Sequence, residues 1–476
     1  MLFNTLGFFA FFVCVLAVYY RLAHRGQNRL LLIASYVFYG AWDWRFLGLL
    51  IFSTIATHYL ARAFARLPED SPRRTWLFWI GMLSNLGVLG FYKYYDFFIS
   101  SAAALLDSVG LHTHPTLLAI ALPPGISFYT LQAVSYLVDV RGDVQKPASS
   151  LFDFALFHAY FPQLVAGPIE RARHLLPQLT EPRTVTLPMA GSALQLICMG
   201  LVKKIVVADV VARMVRAGFD APAEHSSAYL LVGVYLFAFQ MYCDFSGYSD
   251  IARGTSRLLG IELMVNFRQP YLARNITEFW ERWHVSLSSW LRDYIFNPLS
   301  RGVRQRWRFH VNLLITMLAA GLWHGASWNY VVWGILLGGA LVGHKIYAGP
   351  KASKRPPRPR TAGEWSRHLG GMVITFHVVC LSFILVCTRT VPGAWHYLTS
   401  IFGGQAGSDW QMPLLKFLGY AALVFALDLP CWFRDRELPL SPEAWPWQRY
   451  LFCVACLLML VFLGKHEAAP FIYFQF

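Results

Sequence analysis

Residues 309–348 read FHVNLLITMLAAGLWHGASWNYVVWGILLGGALVGHKIYA, two apolar runs joined by the turn Gly321-Leu322-Trp323-His324-Gly325-Ala326-Ser327-Trp328-Asn329-Tyr330. Basic residues crowd both flanks, at 301–308 before the pair and at 351–367 after it. Short basic loops stay on the cytoplasmic side of a membrane, so the chain enters and leaves on one face and His324 lies at the tip of a hairpin. A helical first arm over 309–322 rises only ~21 Å, short of the ~30 Å hydrocarbon layer. The turn is therefore expected inside the membrane, where non-helical backbone survives only when it is buried in protein or lines a water-filled cavity. An imidazole at that depth is costly and marks function, so a tunnel or funnel reaching His324 is expected.

The same reading extends to the whole chain. Of 476 residues 56% are apolar and 16% aromatic, with only 14% charged, which excludes an ordinary soluble domain. Apolar runs near 2–20, 31–61, 75–105, 117–139, 187–215, 228–243, 309–348, 371–391, 412–430 and 448–464 predict an all-α, multi-pass membrane protein of about ten to twelve membrane helices, some of them short and re-entrant around a central tunnel. The first run has no basic residue before it and no small-residue cleavage pattern, and is read as a retained span. Between basic loops at 21–29 and 62–74, residues 30–61 are interrupted by Trp42-Asp43-Trp44-Arg45 and predict two half-length helices. The net charge of +15 sits in such loops, so membrane topology explains it and nucleic acid is not expected as a partner. The eight cysteines fall mostly in apolar runs, and Cys453-x-x-Cys456 has no second ligand pair nearby, which reads as core packing rather than a metal or redox site. No internal repeat supports a transporter built from inverted halves.

Three further polar clusters interrupt the apolar pattern. Asn275 to Tyr294 reads NITEFWERWHVSLSSWLRDY. Asn275 with Glu278 fits a capping box, Glu278 and Arg282 are an i,i+4 pair, and Glu281, His284 and Ser288 share one face at helical spacing. An interfacial helix with aromatic anchors explains the same spacing. Gln240-Met241-Tyr242-Cys243-Asp244-Phe245-Ser246-Gly247-Tyr248-Ser249-Asp250 places two carboxylates at the end of an apolar run, and both need partners if buried. In Tyr160-Phe161-Pro162-Gln163-Leu164-Val165-Ala166-Gly167-Pro168-Ile169-Glu170-Arg171, Gly167-Pro168 is a turn or helix break, and Arg171 and Arg173 are either cytoplasmic loop charge or a site for an anionic donor.

Taken together, residues 161–168, 244–250, 279–288 and 321–325 resemble the signature segments of the membrane-bound O-acyltransferases, in the branch containing the membrane subunit of bacterial alginate O-acetylation and the D-alanyl transfer protein of teichoic acid. The resemblance covers roughly 120–350 and is weaker through the N-terminal region; it implies one transmembrane domain over 1–476, and the Pro- and Arg-rich composition of 351–369 reads as a cytoplasmic linker within it. It also implies that His324 is the catalytic histidine and His284 the second motif histidine, near a tunnel joining the two membrane faces. Asp293, Ser288, Asp244, Trp323 and Asn329 are expected to bind substrate or support the histidines, Asp293 or a nearby hydroxyl by fixing the His284 tautomer.

The expected donor is acetyl-CoA or another acyl thioester reaching the site from the cytoplasm, with no tightly bound cofactor and no metal. The expected outcome is O-acetylation of an extracytoplasmic or cell-surface polysaccharide, from the inner membrane of a bacterium and with a separate extracytoplasmic acetyltransferase partner. The aromatic end 471–476 is either a docking element for that partner or an interfacial belt. A lipid, protein or D-alanyl acyltransferase and a channel or transporter are the competing readings.

Overall fold

The computed structural model describes residues 2–165, 167–349, 359–441 and 444–465. Among these the chain forms helices and no strand. Seven helices are long and apolar enough to cross a membrane: Trp44–Ala65, Pro72–Ser108, Ser227–Leu258, Trp328–Ala348, Ala362–Cys387, Gln411–Arg434 and Pro446–Leu463. The ten to twelve expected from apolar runs also counted shorter or more polar helices, such as Leu6–Tyr19, His24–Gly40 and Arg306–His324. Leu6–Tyr19 has 14 residues and rises only ~21 Å, less than a span. The chain divides into two compact units, one of Met1–Thr186 with Thr255–Met264, the other of Leu187–Gly254 with Val265–Phe476.

In the first unit, Ile126–Arg141 is buried along nearly its whole length, polar residues such as Thr130, Gln132 and Ser135 included. It packs against Trp44–Ala65 and against the Pro72–Leu89 part of the long helix. The two helices expected at 30–61 are present and break at Trp42 and Asp43, but they are longer than half-length: His24–Gly40 and Trp44–Ala65 run through Arg25, Arg29 and Arg62. Charged heads on long apolar stems tolerate that position, so the basic residues did not mark the helix ends. Gly167 does follow a break, after the short helix Phe161–Leu164, and a Cβ there would lie 2.4 Å from Gln163 Cα. Arg171 is not loop charge; it is buried, and its guanidinium donates to the Ile169 carbonyl.

In the second unit, Leu196, Cys198, Val202, Val206, Leu427 and Cys456 form an apolar cluster with Cys453 packed against it. Cys453 and Cys456 are thus packing residues, and all eight cysteines are free thiols. The expected linker at 351–369 is partly helical. Residues 351–358 lie outside the described set, but Thr361 and Glu364 form a reciprocal capping box that starts Ala362–Cys387. The aromatic end 471–476 also lies outside the described residues.

Candidate functional site

The hairpin is present. Its first arm is the 19-residue helix Arg306–His324, ~28 Å long and thus longer than the apolar count suggested, because it starts within the basic loop. It stops where Gly325 takes an extended conformation (φ −161°, ψ 150°), and Trp328–Ala348 returns after Ser327. Glycine sets how closely the arms approach. A Cβ on Gly321 would lie 2.2 Å from the Tyr330 carbonyl oxygen, and one on Gly325 would lie 2.0 Å from the Tyr330 ring. Backbones that touch this way are a common packing device between membrane helices. Asn329 fastens the turn from below: its amide donates to the Thr388 carbonyl at 2.7 Å and to the Leu385 carbonyl at 3.2 Å, at the end of Ala362–Cys387.

His324 ends the first arm at 7% exposure, edge-to-face with Trp323 (centroids 4.9 Å apart) and Trp333 (5.1 Å). His284 belongs to a different element. The Asn275 side chain caps Ile276–Arg282 by accepting from the Glu278 amide at 2.9 Å, but the reciprocal half of the expected box is missing. Glu278 instead bonds Arg274 Nε at 2.9 Å and Arg282 Nη2 at 2.8 Å. Burial pushes the Glu278 carboxyl up, yet Arg282 and Arg274 together hold it below its ordinary range.

The single helical face expected for Glu281, His284 and Ser288 does not form, because the helix breaks at Trp283 and His284 has φ +43° and ψ +54°. A residue with a Cβ in this left-handed conformation costs of order 1–3 kcal/mol and is often held at functional sites. The compensation is local. His284 caps the next helix, Val285–Leu291, with Nδ1 accepting from the Leu287 amide at 3.4 Å. A ring nitrogen that accepts carries no proton, so the neutral ring has its N–H at Nε2. The Leu287 amide is the contact seen at Nδ1. Burial pushes the imidazole down to about 3, which keeps it neutral at ordinary pH. Its ring meets Phe245 at 4.6 Å and Trp323 at 5.7 Å, so the Trp323 indole contacts both imidazoles.

Asn266 holds this arrangement in place and was not among the expected site residues. Its Oδ1 accepts from Ser286 Oγ at 2.7 Å, its carbonyl accepts from the Val285 amide at 2.8 Å, and its Nδ2 donates to Ser249 Oγ at 3.1 Å. The helix behind His284 is thereby tied to Ser227–Leu258. Ser288 supports the break by donating to the Trp283 carbonyl at 3.0 Å. Asp293 lies in the π-helical turn Arg292–Phe296 with its carboxylate on Arg292 at 2.9 Å, an exposed pair.

A cavity lies beyond each end of the inner stretch of Arg306–His324. One, about 330 Å³, is lined by Trp280, Ser288, Arg292, Phe309, Met317 and Lys345, toward the basic end of the hairpin. The other, about 570 Å³, is lined by Gly325, Ser327, Tyr330, Gln240 and Thr388 at the turn. Met317 and Gly325 are about two helical turns apart, ~12 Å, with His324 between them in sequence.

Asp244, expected near substrate, has a different environment. Lys204 donates to Asp244 and, at 2.9 Å, to Asp209, while Lys203 donates to Asp250 at 2.9 Å. Tyr242 donates to the buried Asp428 at 2.8 Å. The lysines come from the π-helical stretch Val202–Ala208, where two adjacent cations interrupt the apolar run 187–215.

Comparison with known proteins identifies the family. The model of the membrane-bound O-acyltransferase (MBOAT) family matches residues 127–384. The chain is 37% identical over 446 residues to a probable alginate O-acetylase AlgI of Azotobacter vinelandii, covering 91% of this chain and 85% of that protein. It is 32% identical over 435 residues to the peptidoglycan O-acetyltransferase of Helicobacter pylori, covering 85% and 80%. A teichoic acid D-alanyltransferase of Streptococcus thermophilus is 32% identical over 280 residues, covering 55% and 67%.

Proposed function

The chain belongs to the membrane-bound O-acyltransferase family and is a multi-pass membrane O-acyltransferase, and from that premise we propose that it moves an acetyl group from a cytoplasmic thioester to a polysaccharide hydroxyl beyond the membrane. The observation that carries this reading is His324 at the tip of a hairpin, with a cavity toward the basic flank and another at the turn. The relatives named for O-acetylation of alginate and of peptidoglycan support acetyl and saccharide over D-alanyl or lipid substrates.

In this mechanism the thioester enters from the side of the basic residues 301–308, with Arg292 and Lys345 lining its cavity. The acceptor hydroxyl arrives at the turn. His324 takes the hydroxyl proton as oxygen attacks the thioester carbonyl, then returns it to the departing thiolate as the tetrahedral intermediate collapses. In this reading His284 donates from Nε2 to the developing oxyanion, its Nδ1 being occupied by the Leu287 amide. The whole chain acts as one transferase in a bacterial inner membrane, with acetyl-CoA as donor, no tightly bound cofactor, and a separate extracytoplasmic acetyltransferase receiving or relaying the group.

The test uses the purified chain in nanodiscs with radiolabelled acetyl-CoA, comparing wild type with His324→Ala for thioester turnover and label transfer. Loss of turnover in the variant supports the mechanism. Equal turnover removes His324 from the chemistry, and long-chain acyl-CoA outcompeting acetyl-CoA would favour a lipid or protein acceptor instead.

A further inference from the structure

The helix Ala362–Cys387 takes no part in the transfer chemistry, yet it grips the return arm of the hairpin at two points. Asn329 and Trp333 stand four positions apart on Trp328–Ala348 and so share one face. That face packs on Ala362–Cys387: Asn329 donates to the Leu385 and Thr388 carbonyls at its end, and the Trp333 indole Nε1–H donates to Ser382 Oγ at 3.3 Å. Ser382 is fully buried, and its own hydroxyl hydrogen goes to the Val379 carbonyl at 2.7 Å. With that hydrogen spent, the Ser382 oxygen meets Trp333 as an acceptor.

The Trp333 ring is the one that His324 meets from the opposite arm, edge-to-face with centroids 5.1 Å apart. Trp323, its other ring neighbour, precedes it on the same helix and moves with it. Trp333 also meets Trp280 at 6.1 Å, so the indole stands among Trp280, Ser382 and His324. The outer torsion of such a side chain is broad and roughly two-fold, so packing by itself leaves the ring free to turn over. The hydrogen bond chooses between the two settings, because one edge of the indole carries the N–H and the other does not. An edge-to-face contact depends on which edge is presented. A general base must lie within hydrogen-bond reach of the proton it takes, and a misplacement of ~1 Å can cost ~10²-fold in rate.

We propose that Ser382 is a positioning residue for the transfer: by fixing the Trp333 ring it sets the orientation of the His324 imidazole. The proposal rests on the reading of His324 as the base and deepens it. Removal of the Ser382 hydroxyl strands the indole N–H in the interior, the ring turns in search of another acceptor, and His324 loses the edge it packs against.

The experiment is a double-substitution cycle on the full chain in nanodiscs, with turnover expressed per acetyl-CoA-binding site so that unfolded protein is not counted. Ser382→Ala is expected to lower kcat by ~10–100-fold, the scale of a misplaced reacting group. KM for acetyl-CoA should stay within about twofold, since the change touches positioning rather than donor binding. Trp333→Phe keeps a ring beside His324 and has no N–H to place, so adding Ser382→Ala to it is expected to cost nothing further. Ser382→Cys, whose thiol is a weaker acceptor, should fall between wild type and Ser382→Ala, and it carries the same cycle if Ser382→Ala does not fold. Unchanged kcat in the Ser382 variants, losses that multiply in the double variant, or a raised KM at normal kcat overturns the inference. His324→Ala is measured beside them. Turnover indifferent to His324 breaks the transferase reading and the inference with it, whereas turnover that needs His324 but ignores Ser382 breaks the inference alone.

Discussion

Two polar clusters interrupt the apolar interior of the second unit, and they are built on opposite principles. Around Lys203 and Lys204, buried ammonium groups meet buried carboxylates: Lys204 with Asp244 and Asp209, Lys203 with Asp250. Around His324 and His284, the neighbours are rings: Trp323, Trp333 and Phe245. The first arrangement neutralises charge that water no longer solvates, and its members have little latitude to change partner during a reaction. The second packs both imidazoles against aromatic rings, beside a turn that lines a cavity. Location at depth thus does not by itself mark a polar residue as chemical; what surrounds it does.

The largest expected effect lies on the aromatic side of that comparison. His324→Ala should lower acetyl transfer by ~10²–10⁴-fold, the usual worth of a positioned general base, with the thermal midpoint in detergent little changed. Lys204→Met tests the ionic side. Removing the cation strands Asp244 and Asp209 in the interior, and breaking such a buried pair costs about 3–5 kcal/mol, so the expected result is a strongly lowered midpoint and poor yield. Neutralising both acids in Lys204→Met/Asp244→Asn/Asp209→Asn should recover much of it. If Lys204→Met kept its midpoint but lost transfer, the ionic cluster would belong to the chemistry and the contrast would collapse.

Much of the contrast was legible in the sequence. The hairpin followed from two basic flanks around an apolar pair, and the need of Asp244 and Asp250 for partners followed from their place in an apolar run. Three things were not legible, each for a physical reason. Helix ends were misplaced wherever Arg25, Arg29, Arg62 or Arg306 sits inside a helix, because a long apolar stem lets the charge reach past the end. The break at His284 was hidden because 275–294 has an unbroken helical pattern; its cause is tertiary, the Asn266 carbonyl and amide capturing Val285, Ser286 and Ser249. The partners of Asn329 were hidden for the same reason, since Thr388 and Leu385 lie ~60 positions further along the chain, beyond any local signal.

Asn266 sharpens the comparison at intermediate strength, as a polar residue that touches neither imidazole but sets where one of them stands. Asn266→Ala removes partners from Ser286 and Ser249 in a buried place, a loss of about 1–3 kcal/mol in stability. Transfer should fall with it, and Asn266→Asp, which keeps the acceptor for Ser286, should recover part of the activity at matched folded fraction. Loss of stability with fully normal turnover of the remaining folded protein would show that the left-handed turn at His284 holds without it.

The smallest effect is expected at Asp293, which the sequence placed beside His284 and the structure places on Arg292. That pair is exposed, with Arg292 62% accessible, and exposed ion pairs contribute about 0–1 kcal/mol. The His284 tautomer depends on the Leu287 amide, a backbone group that no substitution at 293 removes. Asp293→Asn should therefore leave the midpoint nearly unchanged and the thioester turnover within about fivefold of wild type, since ~1 kcal/mol corresponds to about fivefold. A large loss in transfer with an unchanged midpoint would mean that the Asp293 charge itself acts on the reacting groups. The division between an ion-paired scaffold and an aromatic reaction site would then have to be redrawn, with Asp293 on the side of the chemistry.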